Sequence, residues 1–217
     1  MDDEGVFFLS KTICLPSLNS LDLSSNEIGA LGAKALSLST SLSNIDSLNL
    51  AYNRIESLGI DSLANSGFGR RLKTLKLRDT CLGNEGVKEF ARYSLKELEF
   101  LDLSENSISE IGIEALAQSK AFPKLKQLVL SNNHIGDDGI YALSQSEMLC
   151  NLEALFLANN GLTTDSAISI SKSGILTQLK ILDFNNNDIR AEGTKALSVS
   201  PNLDSLQFLD LGGNGLG

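Results

Sequence analysis

The chain has 217 residues, 42% of them hydrophobic, and a formal net charge of −9, so it is long enough to bury a substantial core and too apolar to stay disordered. An isoelectric point near 4.6 argues against nucleic acid or anionic lipid as the main partner, because phosphate recognition rests on lysine and arginine; a protein partner is favoured by elimination. No apolar run approaches the roughly 20 residues that cross a bilayer, so no membrane span is expected.

At the N-terminus, "MDDEGVFFLS" carries acids where a secretion signal needs a basic start. The cysteines Cys14, Cys81 and Cys150 are far apart, odd in number and without a C-x-x-C pair, which fits neither a disulfide framework nor a zinc site and points to a reducing compartment. The segment from Asp2, "DDEGVFFLSKTICLPSL", aligns with "GDDGIYALSQSEMLCNL" from Gly136, so the chain opens inside the helical half of an incomplete unit.

From there a repeat runs through the sequence. "LDLSSNEIGALG" from Leu21 returns as "LNLAYNRIESLG" from Leu48, "LKLRDTCLGNEG" from Leu75, "LDLSENSISEIG" from Leu101, "LVLSNNHIGDDG" from Leu128, "LFLANNGLTTDS" from Leu155, "LDFNNNDIRAEG" from Leu182 and "LDLGGNGLG" from Leu209, spaced by 27 residues six times and by 26 once. The units share the consensus L-x-x-L-x-L-x-x-N-x-[IL] and then Gly, a small or apolar residue, and Leu or Phe three positions later. Such a pattern resembles the leucine-rich repeat family over essentially the whole chain, and the period with its helical half resembles the ribonuclease-inhibitor-like, intracellular type.

The unit is also readable from its residues. Alternating leucines put one side of a short strand in the core, and stacking at the strand spacing joins these rows and pairs the strands in parallel. Asn26, Asn53, Asn106, Asn133, Asn160, Asn187 and Asn214 form a ladder of amides that satisfy backbone groups where the chain leaves the strand. Thr80 interrupts it, and a hydroxyl replaces only part of those bonds, so a local softening is expected there. In the second half of the unit, residues such as Ile113, Leu116 and Ala117 share one helical face. Asp137, Asp138, Asp165 and Glu192 suit helix starts. The expected fold is therefore an α/β right-handed solenoid arc with parallel strands on the concave face and helices on the convex face. One repeat domain is expected over 1–217: a partial repeat at 1–17, seven full repeats from 18, and a truncated eighth at 206–217. Without polar caps, the ends are those of an excised part of a longer array, or are covered by another chain through end-to-end self-association, or are left to fray.

Catalytic and metal chemistry find little support. His134, the one histidine, stands in a variable, mostly polar turn column with no second histidine and no H-E-x-x-H pattern. Cys81 shares that column and reads as incidental; "GGNGLG" from Gly212 and "GFGRRLK" from Gly67 read as turns. No catalytic residue, metal ligand or cofactor is assigned.

Binding is expected on the exposed strand positions, which are rigidly held and free of core duties. Before the central leucine stand Ser20, Ser47, Thr74, Phe100, Gln127, Ala154, Ile181 and Phe208; after it stand Asp22, Asn49, Lys76, Asp102, Val129, Phe156, Asp183 and Asp210. Lys76 and Arg78 with Tyr52 and Asp79 make a basic spot. Phe100, Val129, Phe156 and Ile181, rimmed by Asp102, Glu105 and Asp183, make an apolar patch with the anatomy of a protein-binding hot spot. The leading expectation is a non-catalytic interaction module holding a protein on its concave face, cytoplasmic or delivered into a host cytosol; linkers such as "SPNL" and "AFPKL" resemble those of microbial intracellular repeat proteins. Two alternatives remain: a regulator of a small GTPase, since repeats of the ribonuclease-inhibitor-like type also occur in activators of such enzymes, with Arg78 or Arg54 acting on the bound partner; and a spacer within a longer array.

Overall fold

The computed structural model describes residues 1–12 and 17–216; Cys14 lies outside the described residues. Helix α1 (Asp3–Thr12) is followed by seven strand–helix units and a last strand: β1 (Ser20–Asp22), α2 (Ala30–Ser37), β2 (Ser47–Asn49), α3 (Glu56–Ala64), β3 (Thr74–Lys76), α4 (Gly83–Ala91), β4 (Phe100–Asp102), α5 (Glu110–Ala117), β5 (Gln127–Val129), α6 (Gly136–Ser144), β6 (Ala154–Phe156), α7 (Thr164–Ser171), β7 (Ile181–Asp183), α8 (Arg190–Ser198) and β8 (Phe208–Asp210). The strands form one parallel sheet in sequence order. Leu21, Leu48, Leu75, Leu101, Leu128, Leu155, Leu182 and Leu209 stand in register across it. Because a helix is about twice as wide as the strand spacing of roughly 4.8 Å, the array bends with its strands on the inside.

The leucine rows make the core. Leu48 through Leu182 of the central column are buried, as are Leu50, Leu77, Leu103, Leu130, Leu157 and Phe184 two positions on. From the other side the helices contribute one face each, for example Val87 and Phe90 from α4, or Ile113 and Leu116 from α5. Ala117 packs against the same core while only partly buried. Phe90 and Phe122 stack within it at 5.0 Å between ring centroids. The recurrent helical glycine has a packing cause: a Cβ on Gly193 would sit 2.7 Å from Ile189 Cγ2 and 3.0 Å from Ala167 Cβ on the preceding helix. Leu209 has no strand beyond it among the described residues and is 37% exposed.

The asparagine ladder stitches one unit to the next. Asn133 Nδ2 donates to Leu103 O of the unit before (3.1 Å) and to Leu130 O of its own (2.8 Å), while its Oδ1 accepts from Asn106 N and Ile108 N. Asn53, Asn106, Asn160, Asn187 and Asn214 donate in the same two directions. Thr80 is fully buried, its hydroxyl 2.6 Å from Leu77 O and 3.2 Å from Asn106 Oδ1. With one proton it donates to one of these at a time, and no bond from it to Leu50 O replaces the link back to the preceding unit.

Helices begin in two ways. Those at α3, α4, α6 and α8 start from a residue with left-handed φ: Glu56 (58°), Gly83 (56°), Gly136 (63°) and Arg190 (57°). Those at α2, α5 and α7 start after an extended residue whose N–H is taken by the preceding unit: Gly29 N donates to Asp3 Oδ1 (2.7 Å), Ser109 N to Asn84 Oδ1 (2.9 Å) and Thr163 N to Asp137 Oδ1 (2.9 Å). Asp137 thus lies in the first turn of α6, as its sequence position implies, but its carboxylate serves the start of α7.

Candidate protein-binding face

Each strand is three residues long, and only its middle leucine points inward. The residues on either side of that leucine project from the concave face at fixed spacing, so the sheet presents two side-chain columns. In the second column, register places Lys76 beside Asp102, Asp102 beside Val129, Val129 beside Phe156, Phe156 beside Asp183, and Asp183 beside Asp210. The first column sets Phe100 beside Gln127 and Ile181 beside Phe208, with Ala154 buried between Gln127 and Ile181.

Register sets Val129 and Phe156 as direct neighbours, with Ile181 diagonally across from Phe156 and Phe100 diagonally across from Val129, all four half-buried. Phe208 was not among the expected patch residues, yet it is 54% exposed and pairs with Ile181. Its column position carried the signal, since it follows Ile181 by one 27-residue period.

The expected basic spot is largely spent internally. The Arg78 guanidinium is hydrogen-bonded to Glu105 and lies 5.4 Å from the Tyr52 ring centroid, with its Nε buried and without a partner. Burial would lower its pKa, but the bond and charge of Glu105 outweigh that and raise it. Lys76 remains exposed, with its Nζ 5.9 Å from the Phe100 ring centroid. Asp79 is exposed and adopts a left-handed backbone. That conformation recurs at Ser25, Tyr52, Glu105, Asn132, Asn159 and Asn186, one turn position per unit. After glycine, asparagine tolerates it best, and two of the three consecutive amides are further tied by Asn159 Nδ2 donating to Asn132 Oδ1 (2.9 Å).

Along the rim just before the strands runs a feature that the sequence reading missed. At one position per unit stand Asn19, Asp46, Lys73, Glu99, Lys126, Glu153, Lys180 and Gln207, with charge alternating in sign and closed by an amide at each end. Lys73 pairs with Asp46 (3.2 Å), Lys126 with Glu99 (2.8 Å) and Lys180 with Glu153 (2.7 Å). Reading this position down the repeats, as was done for its two neighbours, would have found it.

His134 is exposed, and its backbone N donates to Ile108 O (2.8 Å), so its position is held by the main chain. Cys81 and Cys150 are exposed free thiols. Among the described residues no helix is long and apolar enough to cross a membrane.

Comparison with known families agrees with the stacked geometry. A family model for leucine-rich repeats in two copies matches residues 96–141, and a second leucine-rich repeat model matches residues 14–37, 41–64, 70–91 and 176–198, together well over half of the chain. The chain belongs to the leucine-rich repeat family. Leucine-rich repeats generally mediate protein–protein interaction. No curated protein sequence matches the chain.

Proposed function

We propose that residues 1–217 act as one non-catalytic interaction module, of the ribonuclease-inhibitor-like repeat type, that binds a protein partner on its concave strand face. The observation that carries this is the contiguous run of half-buried and exposed apolar side chains, Val129, Phe156, Ile181 and Phe208, held on strands whose leucines already supply the core. Such side chains are pre-ordered by the sheet, so binding spends little of its free energy on immobilising them. Phe100, Asp102, Glu105 and Asp183 border this run, and Lys76, Arg78 and Tyr52 extend the proposed surface toward β3 and β2. The 27-residue period and the exposed thiols of Cys81 and Cys150 support the subtype and a reducing, cytoplasmic setting.

Val129→Ser with Phe156→Ser tests the reading. Both positions are half-buried on the concave side and outside the leucine core, so the variant stays folded, with its melting temperature lowered by only a few degrees, while losing the proteins that the parent retains from a native lysate. Retention of the same partners by the variant overturns it.

A further inference from the structure

On the strand face nearly every charge has an answer. Asp46, Glu99 and Glu153 are paired with lysines, Glu105 holds Arg78, Lys76 is the register partner of Asp102, and the Asp22 pKa is lowered by bonds from Ser24 and Asn49 and by the nearby Lys76 charge. Asp183 and Asp210 break this rule. They are register partners on β7 and β8, and among the described residues neither pairs with a lysine or arginine. Asp183 accepts from Asn185 N (2.8 Å), and Asp210 from Gly212 N (2.8 Å) and Asn185 Nδ2 (3.4 Å). Burial and the facing Asp210 together raise the Asp183 pKa against the opposing bond from Asn185 N. Like charges directly opposite one another on a sheet destabilise it, and a cation brought between them relieves the repulsion.

These acids adjoin the apolar run: Phe156 is the register partner of Asp183, and Phe208 and Ile181 stand two residues before Asp210 and Asp183. The turns that follow β5–β8 are small or amide, with Ser131, Ala158, Asn132, Asn159, Asn186 and Gly212, and the lysines at the rim before β5 and β7, Lys126 and Lys180, are taken up by Glu99 and Glu153. We infer that this half of the concave face docks a basic, amphipathic segment of a partner protein, whose apolar side chains rest on Val129 and Phe156 and whose lysine or arginine enters between Asp183 and Asp210. The inference rests on the concave-face reading above and narrows it to one partner chemistry. Two strand spacings separate the centre of the apolar pair from the centre of the acidic pair, about 10 Å. The cation therefore lies about three residues from the apolar anchors in an extended segment, or about two turns away in a helix.

The test uses a library of random peptides displayed on phage, selected on the full chain, with enriched peptides resynthesised and titrated by fluorescence anisotropy. The inference expects enrichment of lysine or arginine at that distance from apolar residues. It further expects a Kd raised about ten-fold or more by Asp183→Asn with Asp210→Asn, a near-isosteric pair of changes, and binding lost with Val129→Ser and Phe156→Ser. Peptides that need Val129 and Phe156 but are indifferent to both aspartates, or that show no basic enrichment, overturn the inference and leave the concave-face reading standing. Peptides indifferent to all four substitutions, or a selection that yields none, overturn both.

Discussion

Asp137 and Ser166 belong to different repeats, yet the Asp137 carboxylate closes the first turn of the helix that contains Ser166. Its Oδ1 accepts from Thr163 N (2.9 Å), Ser166 N (3.2 Å) and the Ser166 hydroxyl, and its Oδ2 from the Thr163 hydroxyl (2.7 Å). A side chain that usually caps its own helix here caps its neighbour's, so helix start and repeat stacking are one interaction. Removing it with Asp137→Ala is expected to cost about 1–2 kcal/mol, read from the urea midpoint.

That contribution depends on pH in a defined direction. Burial works to raise the Asp137 pKa, but the bonds from Ser166 and Thr163 outweigh it and hold it below the ordinary 3.8. A carboxyl depressed on folding stabilises the protein above its unfolded pKa and loses that effect as pH falls through the folded value. The stability gap between the parent and Asp137→Ala is therefore constant near neutrality and closes below about pH 4. A gap that widened on acidification would contradict the assignment.

Thr80 is the one position where the ladder lacks an amide, and the shortfall is local to the junction of the second and third units. Thr80→Asn is close to volume-neutral and adds the donor needed to reach Leu50 O, the counterpart of the bond from Asn106 to Leu77 O (2.6 Å). It is expected to stabilise the chain by about 1 kcal/mol. The reverse change, Asn133→Thr, is expected to destabilise by more, because it leaves the buried N–H groups of Asn106 and Ile108 without their acceptor and removes one of the two amide donors to Leu103 O. Thermal melts of both variants check the pair.

Lys126 stands between Glu99 and Glu153 on the alternating rim, bonded to the first, which raises its pKa, and close enough to the second for that charge to add to the shift. Lys126→Glu puts three acids in a row at 99, 126 and 153. The melting temperature is expected to fall in dilute buffer and to recover much of the loss in molar salt, where the screening length shrinks from about 10 Å to about 3 Å. A loss independent of salt would mean that packing of the lysine stem, not its charge, matters there.

How much of this was written in the sequence depends on which interactions repeat. The leucine rows, the short strands, the helical faces and the asparagine ladder recur every 26 or 27 residues and so were legible in one chain. Asp3, Asn84 and Asp137 were harder to assign: they recur at one position but only in some units, and their partners lie 25 to 29 residues downstream, where the turn chooses an extended cap. For the candidate face, the columns were readable but their contents were not. That Arg78 folds onto Glu105 and Tyr52, and that Ala154 is buried between Gln127 and Ile181, are matters of side-chain reach and packing across strands.

Leu155 and Phe156 are consecutive on β6 and answer to opposite demands. Leu155 is fully buried between its neighbours Leu128 and Leu182, whereas Phe156 lies half-open on the concave side. Leu155→Ala is expected to cost about 2–5 kcal/mol through lost burial and the cavity left behind. Phe156→Ala removes a larger side chain yet leaves no enclosed cavity, so its cost is expected to be smaller, about 1 kcal/mol, in proportion to the part of the ring that is covered. Binding is expected to rank the two in reverse. At a temperature where both remain folded, Leu155→Ala retains the partner and Phe156→Ala loses it. Urea titrations paired with binding measurements on the same preparations separate the two effects. Equal losses of stability at both positions would place Phe156 in the core and remove it from the proposed surface.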